Sequence, residues 1–194
     1  MSIFKKKIKK GVLLFVGRID VHKGLDNLIK VIILLNEKCV NSSLRIVGPD
    51  WKGIKRSLEK MVPKQLMEKV IFLGPVDDST LVVEYAQAHL FVSASNYEGF
   101  GLTAIEAMAS GTLTILNDID SFRSFLSDKA FGRIVNFNDP QSVVPIITEF
   151  LSLQDDKYLQ LSNDARLFAQ NFSWNIVGER IQRVYSECLK NNSR

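Results

Sequence analysis

Glu98-Gly-Phe-Gly-Leu-Thr-Ala-Ile-Glu106-Ala-Met-Ala-Ser-Gly111 is the stretch on which the reading of this chain turns. Two carboxylates eight positions apart bracket a glycine-containing loop and the first turns of a helix. At about 3.6 residues per turn, a spacing of eight is just over two turns, and it sets the second carboxylate inside the helix that the loop leads into. The first backbone N–H groups of such a helix have no partner inside it, and the helix dipole adds partial positive charge there. That end suits an anion, and the carboxylates suit hydroxyl groups. A nucleotide sugar, with its phosphates and many hydroxyls, meets both needs.

Outward from this stretch, apolar β-rich runs alternate with helical ones. Strands are predicted at 12–16, 44–47, 70–73, 90–94, 113–117 and 132–136. Helices are predicted at 25–38, 51–61, 78–88 with Ser79 as N-cap, 121–127, 140–153, 155–170 and 175–189, besides the one that carries Glu106. Uniformly apolar strands between helices imply a parallel sheet covered on both faces. The expected fold class is α/β, a Rossmann-like doubly wound sheet of about six strands. Ligands of such sheets sit beyond the carboxyl ends of the strands. Gly17 and Arg18, Gly48, Gly74 and Glu98 all fall there.

The chain has 194 residues, 46% of them hydrophobic and 24% charged, as in ordinary globular proteins. The formal net charge is +4, and five lysines fall within the first ten residues. Subtracting those five from +4 leaves −1, so the body is near neutral. A basic folded face for nucleic acid is not indicated. Residues 1–11 read as a basic tail or linker end, and 12–190 as a single nucleotide-sugar-binding domain. The run 5–10 is a candidate for peripheral contact with anionic lipid, and is too short and charged for a span. Cys39 and Cys188 read as free thiols of a reducing cytoplasm. The acceptor-type triplets at Asn41, Asn171 and Asn191 read as chance matches.

The 98–111 stretch resembles the E-x7-E motif of retaining glycosyltransferases of the GT-B architecture, in particular the GT4 (glycosyl transferases group 1) family. Phe15-Val-Gly-Arg18-Ile-Asp-Val-His-Lys23-Gly24 is similar to that family's G-R-x-x-x-x-K-G segment. Leu44–Pro49 and Val70–Gly74 are similar to its next two strand-plus-glycine segments. Phe172-Ser-Trp174 with the run that follows resembles its C-terminal helix. These matches stand in the family's order over about residues 12–190.

The resemblance implies the donor-binding half of a hexosyltransferase. The donor would be a GDP- or UDP-hexose, and mannose or glucose would pass to a glycan or lipid-linked acceptor, without a metal. Arg18 and Lys23 would grip the diphosphate, Glu98 would lie near the transferred sugar, and Glu106 would accept the ribose hydroxyls. Gly99, Phe100, Gly101, Leu102 and Thr103 would present a turn and helix amides to phosphate or sugar, with Phe100 packed into the core. Gly17, Gly48, Phe72 and Leu73 would border the donor, the last three at the base. The catalytic set is Glu98, Arg18 and Lys23.

A complete GT-B enzyme needs about twice this length. The expected missing partner is an N-terminal acceptor domain, in cis or in trans as a split subunit. Ile176, Ile181, Val184 and Tyr185 of the last helix would then be partly exposed. Family prolines are replaced by Ala94, Thr103 and Leu113, and Asp118-Ile-Asp120 resembles a metal pair of an unrelated class. The alternative reading is a glycosyltransferase-like binding module without chemistry. A G-x-G-x-x-G turn after the first strand, the mark of a dinucleotide oxidoreductase, is absent, and so is a P-loop.

Overall fold

The computed structural model describes residues 8–191; Lys5, Lys6 and Lys7 of the basic run, and the end of the Asn191 triplet, lie outside them. Six strands form one parallel sheet in the order β3-β2-β1-β4-β5-β6. They are β1 Val12–Val16, β2 Ser43–Val47, β3 Val70–Gly74, β4 Leu90–Ser93, β5 Leu113–Asn117 and β6 Gly132–Val135. The order reverses between β1 and β4, which places a crevice at the carboxyl ends of those two strands. Among the described residues the α-helices are α1 Leu25–Glu37, α2 Lys55–Glu59, α3 Asp78–Gln87, α4 Leu102–Ala109, α5 Asp120–Leu126, α6 Pro140–Leu151, α7 Asp155–Gln170 and α8 Trp174–Asn191.

The apolar strands explain the layers. All of Leu90–Ser93 and Leu113–Asn117 is buried, so both faces of the sheet centre are covered. On one side α1 buries Leu25, Leu28, Ile29, Val31, Ile32 and Leu35 and packs on α6. On the other, α4 buries Ala104, Ile105, Ala107 and Met108 and packs on α7. Small residues at Ala104 and Ala107 let α4 lie close over the sheet.

Several boundaries differ from expectation. The helix predicted at 51–61 shrinks to Lys55–Glu59, because Gly53 sits at a φ of +67° and Asp50 caps the Ile54 and Lys55 amides at 3.0 Å each. The N-cap of α3 is Asp77, not Ser79. Asp77 is extended and accepts the Thr80 amide at 2.7 Å, while the Ser79 hydroxyl donates to it at 2.6 Å. Those bonds, the Ser79 hydroxyl first, hold the Asp77 carboxyl below its ordinary range. Short 3-10 turns at Val21–Lys23 and Lys64–Lys69 had no periodic signal. The Lys9 amide donates to Gln87 at 2.9 Å, so part of the stretch read as tail is seated on the body.

Arg45 on β2 donates bidentately to Glu84 on α3, at 2.6 Å to each oxygen, with side chains 20% and 11% exposed. Glu84→Ala leaves that guanidinium without its carboxylate at a mostly desolvated position. The expected cost is about 2 kcal/mol of unfolding free energy, less than for a fully buried pair. Urea titration checks it, and an unchanged midpoint would show the pair to be energetically idle.

Candidate functional site

The site is built where the chain leaves β1 and β4. The Val21–Lys23 turn is capped by Asp20, whose side chain accepts the His22 amide at 3.2 Å. Gly24 then turns the chain into α1 at a φ of +62°. The loop after β4 is tied to this turn by the Asn96 amide, which donates to the His22 carbonyl at 2.8 Å. A Cβ on Gly24 would stand 2.4 Å from the Ala94 carbonyl oxygen, so only glycine allows the two loops to touch. As a result Lys23 Nζ meets Glu98 Oε1 at 2.6 Å, with side chains only 14% and 17% exposed. Residues 75 positions apart in sequence thus form one partly desolvated pair at the topological switch.

Arg18 is placed differently. It is exposed, its guanidinium carbon lies 5.8 Å from the centre of the exposed Trp51 ring, and it forms no ion pair among the described residues. Nearby, Lys52 pairs with Asp20 at 2.7 Å and joins the loops after β1 and β2. That hydrogen bond, then the His22 amide, holds the Asp20 carboxyl below its ordinary value. The Gly17 amide donates to the Val47 carbonyl and the Gly48 amide to the Gly74 carbonyl, both at 2.9 Å. These glycines therefore offer closeness of backbone and no free N–H. Phe72 and Leu73 are half-buried, and Lys55 Nζ lies 5.5 Å from the centre of the Phe72 ring.

The motif loop enters α4 through Gly101, which has a φ of +95°. A Cβ there would stand 2.5 Å from the Phe122 ring. Gly99 differs, because its Cβ position meets nothing within 4 Å and its φ demands no glycine. The Leu102 and Thr103 amides open the helix and have no acceptor within it. Phe100 is not a core residue. It is 37% exposed, with its ring 5.7 Å from Phe125 and 5.5 Å from Phe172. The ring caps an aromatic cluster at the surface, where the neighbouring Phe125 takes the buried place.

Glu106 stands on α4 away from the Lys23–Glu98 pair's direct contacts. It is exposed, and it accepts a hydrogen bond of 2.8 Å from the hydroxyl of the buried Tyr85 on α3. It also borders a groove of about 700 Å³ with Phe100, Leu102 and the α7–α8 junction at Phe172 and Trp174.

Two positioning residues were not foreseen. Tyr85 had no spacing signal, since its partner is 21 positions away. Asn117 is 3% exposed and donates to the Ser95 carbonyl at 3.1 Å while accepting the Phe137 amide at 3.0 Å. An asparagine ending an apolar strand was the available sign. Asp118 and Asp120, which resemble a metal pair, are both bonded to Arg123. Cys39 and Cys188 are free and exposed. No helix among the described residues is long and apolar enough to cross a membrane.

A family model described as glycosyl transferases group 1 matches residues 2–168. The chain is 28% identical over 187 residues to D-inositol 3-phosphate glycosyltransferase of Corynebacterium glutamicum (strain R), covering 94% of this chain and 44% of that protein. It is 28% identical over 185 residues to phosphatidyl-myo-inositol mannosyltransferase of Mycobacterium leprae (strain TN), covering 93% of this chain and 48% of that one. Among solved structures, sucrose-phosphate synthase from Thermosynechococcus elongatus superposes with a TM-score of 0.79 at 26% identity, over 94% of this chain and 46% of the other. The chain thus spans less than half the length of these relatives.

Proposed function

The chain belongs to the glycosyl transferases group 1 family, and on that premise we propose that it is the donor-binding half of a retaining, metal-independent hexosyltransferase. The observation that carries this reading is the Lys23–Glu98 pair, 2.6 Å apart at the crevice between β1 and β4. A cation and a carboxylate held together there, beside the open first turn of α4, suit a sugar joined to a diphosphate. Lys23 and Arg18 would face the phosphates, with the Leu102 and Thr103 amides adding donors. As the anomeric carbon parts from the phosphate oxygen, negative charge grows on the diphosphate. The same cations stabilise it there, the service a metal renders elsewhere. Glu98 would lie by the sugar and Glu106 would take the ribose hydroxyls.

The proposed transfer is of mannose or glucose to a glycan or lipid-linked acceptor at the cytoplasmic side of a membrane, with residues 5–10 as a peripheral contact. The names of the two inositol-linked relatives favour a polyol or lipid acceptor. The acceptor half would be supplied in cis or in trans. The outer face of α8 supports this part of the reading, because Ile181, Val184 and Tyr185 are 51%, 58% and 68% exposed at helical spacing.

Calorimetric titration with GDP, UDP and ADP in EDTA tests the proposal. One diphosphate is expected to bind selectively, with binding weakened at least tenfold in Glu106→Ala, the loss of charge-assisted bonds to hydroxyls. Binding that requires a divalent cation would overturn the metal-independent part. Wild-type affinity in Glu106→Ala would overturn the ribose role, and a full transfer rate by this chain alone would overturn its being half of a site.

A further inference from the structure

The exposed carboxylate of Glu106 is not free to rotate at will. Its Oε2 accepts a hydrogen bond of 2.8 Å from the Tyr85 hydroxyl. Tyr85 is itself only 3% exposed, and its ring packs 6.1 Å from Phe91 of β4. Its carbonyl is held by the Thr112 hydroxyl at 2.6 Å, a bond that ties α3 to the start of β5. The donor is therefore anchored at its backbone and its ring before it reaches Glu106. Burial first, and the Glu106 charge second, push the phenol well above its ordinary pKa, so the group stays protonated and donating.

An ionised carboxylate has two oxygens and accepts at both. With Oε2 committed to Tyr85, rotation of the carboxylate is restricted, and Oε1 of this exposed residue is left to accept from a ligand. We infer that Tyr85 is a positioning residue for ribose recognition, fixing the Glu106 carboxylate so that one oxygen is aimed at the ribose hydroxyls of the donor nucleotide. The inference rests on the donor-binding reading of Glu106 given above. Tyr85 contacts no nucleotide and acts only through Glu106. Its effect is to spare the site the entropy of ordering a surface glutamate when ligand arrives.

A site built to hydrogen-bond a hydroxyl rejects the analogue that lacks it, and the ratio of the two affinities measures how well the acceptor is placed. The test uses the full chain with whichever of GDP, UDP and ADP binds it most tightly, and the 2′-deoxy and 3′-deoxy forms of that nucleotide. Wild type is expected to prefer the ribonucleotide over at least one deoxy form by roughly tenfold or more. Tyr85→Phe keeps the ring and removes one oxygen. It should lose most of that preference while binding the deoxy form as wild type does, which also shows that the variant is folded. Glu106→Ala should abolish the preference altogether.

A wild-type ratio in Tyr85→Phe, alongside a lost ratio in Glu106→Ala, would overturn the positioning role and leave the donor reading intact. A wild-type ratio in Glu106→Ala would overturn the donor reading of that residue and the inference with it. Equal weakening of all three ligands in Tyr85→Phe would assign Tyr85 to stability of the fold, against the inference. Failure of all three ribonucleotides to bind wild type would overturn both statements together.

Discussion

Lys23→Ala is expected to weaken nucleoside diphosphate binding by about 2–3 kcal/mol, roughly 30- to 150-fold. Two losses combine. The diphosphate loses a charge-assisted bond, and Glu98 loses the partner 2.6 Å away that neutralises it. A carboxylate left unpaired at 17% exposure then faces an incoming anion. The second loss is separable. Lys23→Ala combined with Glu98→Gln should bind better than Lys23→Ala alone, because the uncompensated charge is gone. Arg18→Ala is expected to cost less, about 1.5 kcal/mol, since Arg18 is solvent-exposed against Trp51. Calorimetry on the four proteins decides this, and equal affinity of wild type and Lys23→Ala would remove Lys23 from the phosphate site.

Gly48→Ala is expected to be among the most destabilising single substitutions in the chain. Gly48 has a φ of +137°, a region that alanine rarely enters, and its Cβ would stand 2.0 Å from the Gly17 carbonyl oxygen. Strain and overpacking together should cost about 3–5 kcal/mol. Backbone meets backbone here, so no side chain can swing aside. The strand ends of β1 and β2 would be forced apart, and with them the floor on which Arg18 and the loop after β2 rest. Gly99→Ala is the control, since nothing lies within 4 Å of its Cβ position. Urea denaturation reads both, with a large midpoint shift for the first and little for the second. A wild-type midpoint for Gly48→Ala would mean that β1 and β2 do not approach so closely.

The sheet was legible because its signals are local. Val12–Val16 and Leu113–Asn117 are continuous apolar runs bounded by turn residues, and both strands stand where the pattern put them. Helix α1 was legible for the same reason, through an apolar face repeating at helical period. Elements set by hydrogen bonds were less so. Asp77 and Ser79 are both good caps, and only the extended backbone at Asp77 decides between them. The turn at Val21–Lys23 is three residues long and has no period to detect.

The site divides along the same line. Motif order placed Lys23 and Glu98 at strand ends, but their direct pairing depends on the Asn96–His22 bond and on the absence of a side chain at Gly24. Tyr85 and Asn117 act through contacts 21 and 22 positions away, a distance at which no local pattern speaks. Phe100 reads as core by its type, yet it lies at the surface against Phe125 and Phe172, partners 25 and 72 positions away that no local pattern shows.

The central claim is that the crevice between β1 and β4 holds a nucleoside diphosphate. The crystal structure of this chain with the diphosphate that binds it most tightly tests that claim most directly. The predicted density has the phosphates between Lys23, Arg18 and the Leu102 and Thr103 amides, and the ribose hydroxyls on Glu106. Glu98 should be released from Lys23 or share it with the diphosphate. A nucleotide bound elsewhere, with the Lys23–Glu98 pair intact and the first turn of α4 untouched, would contradict the account.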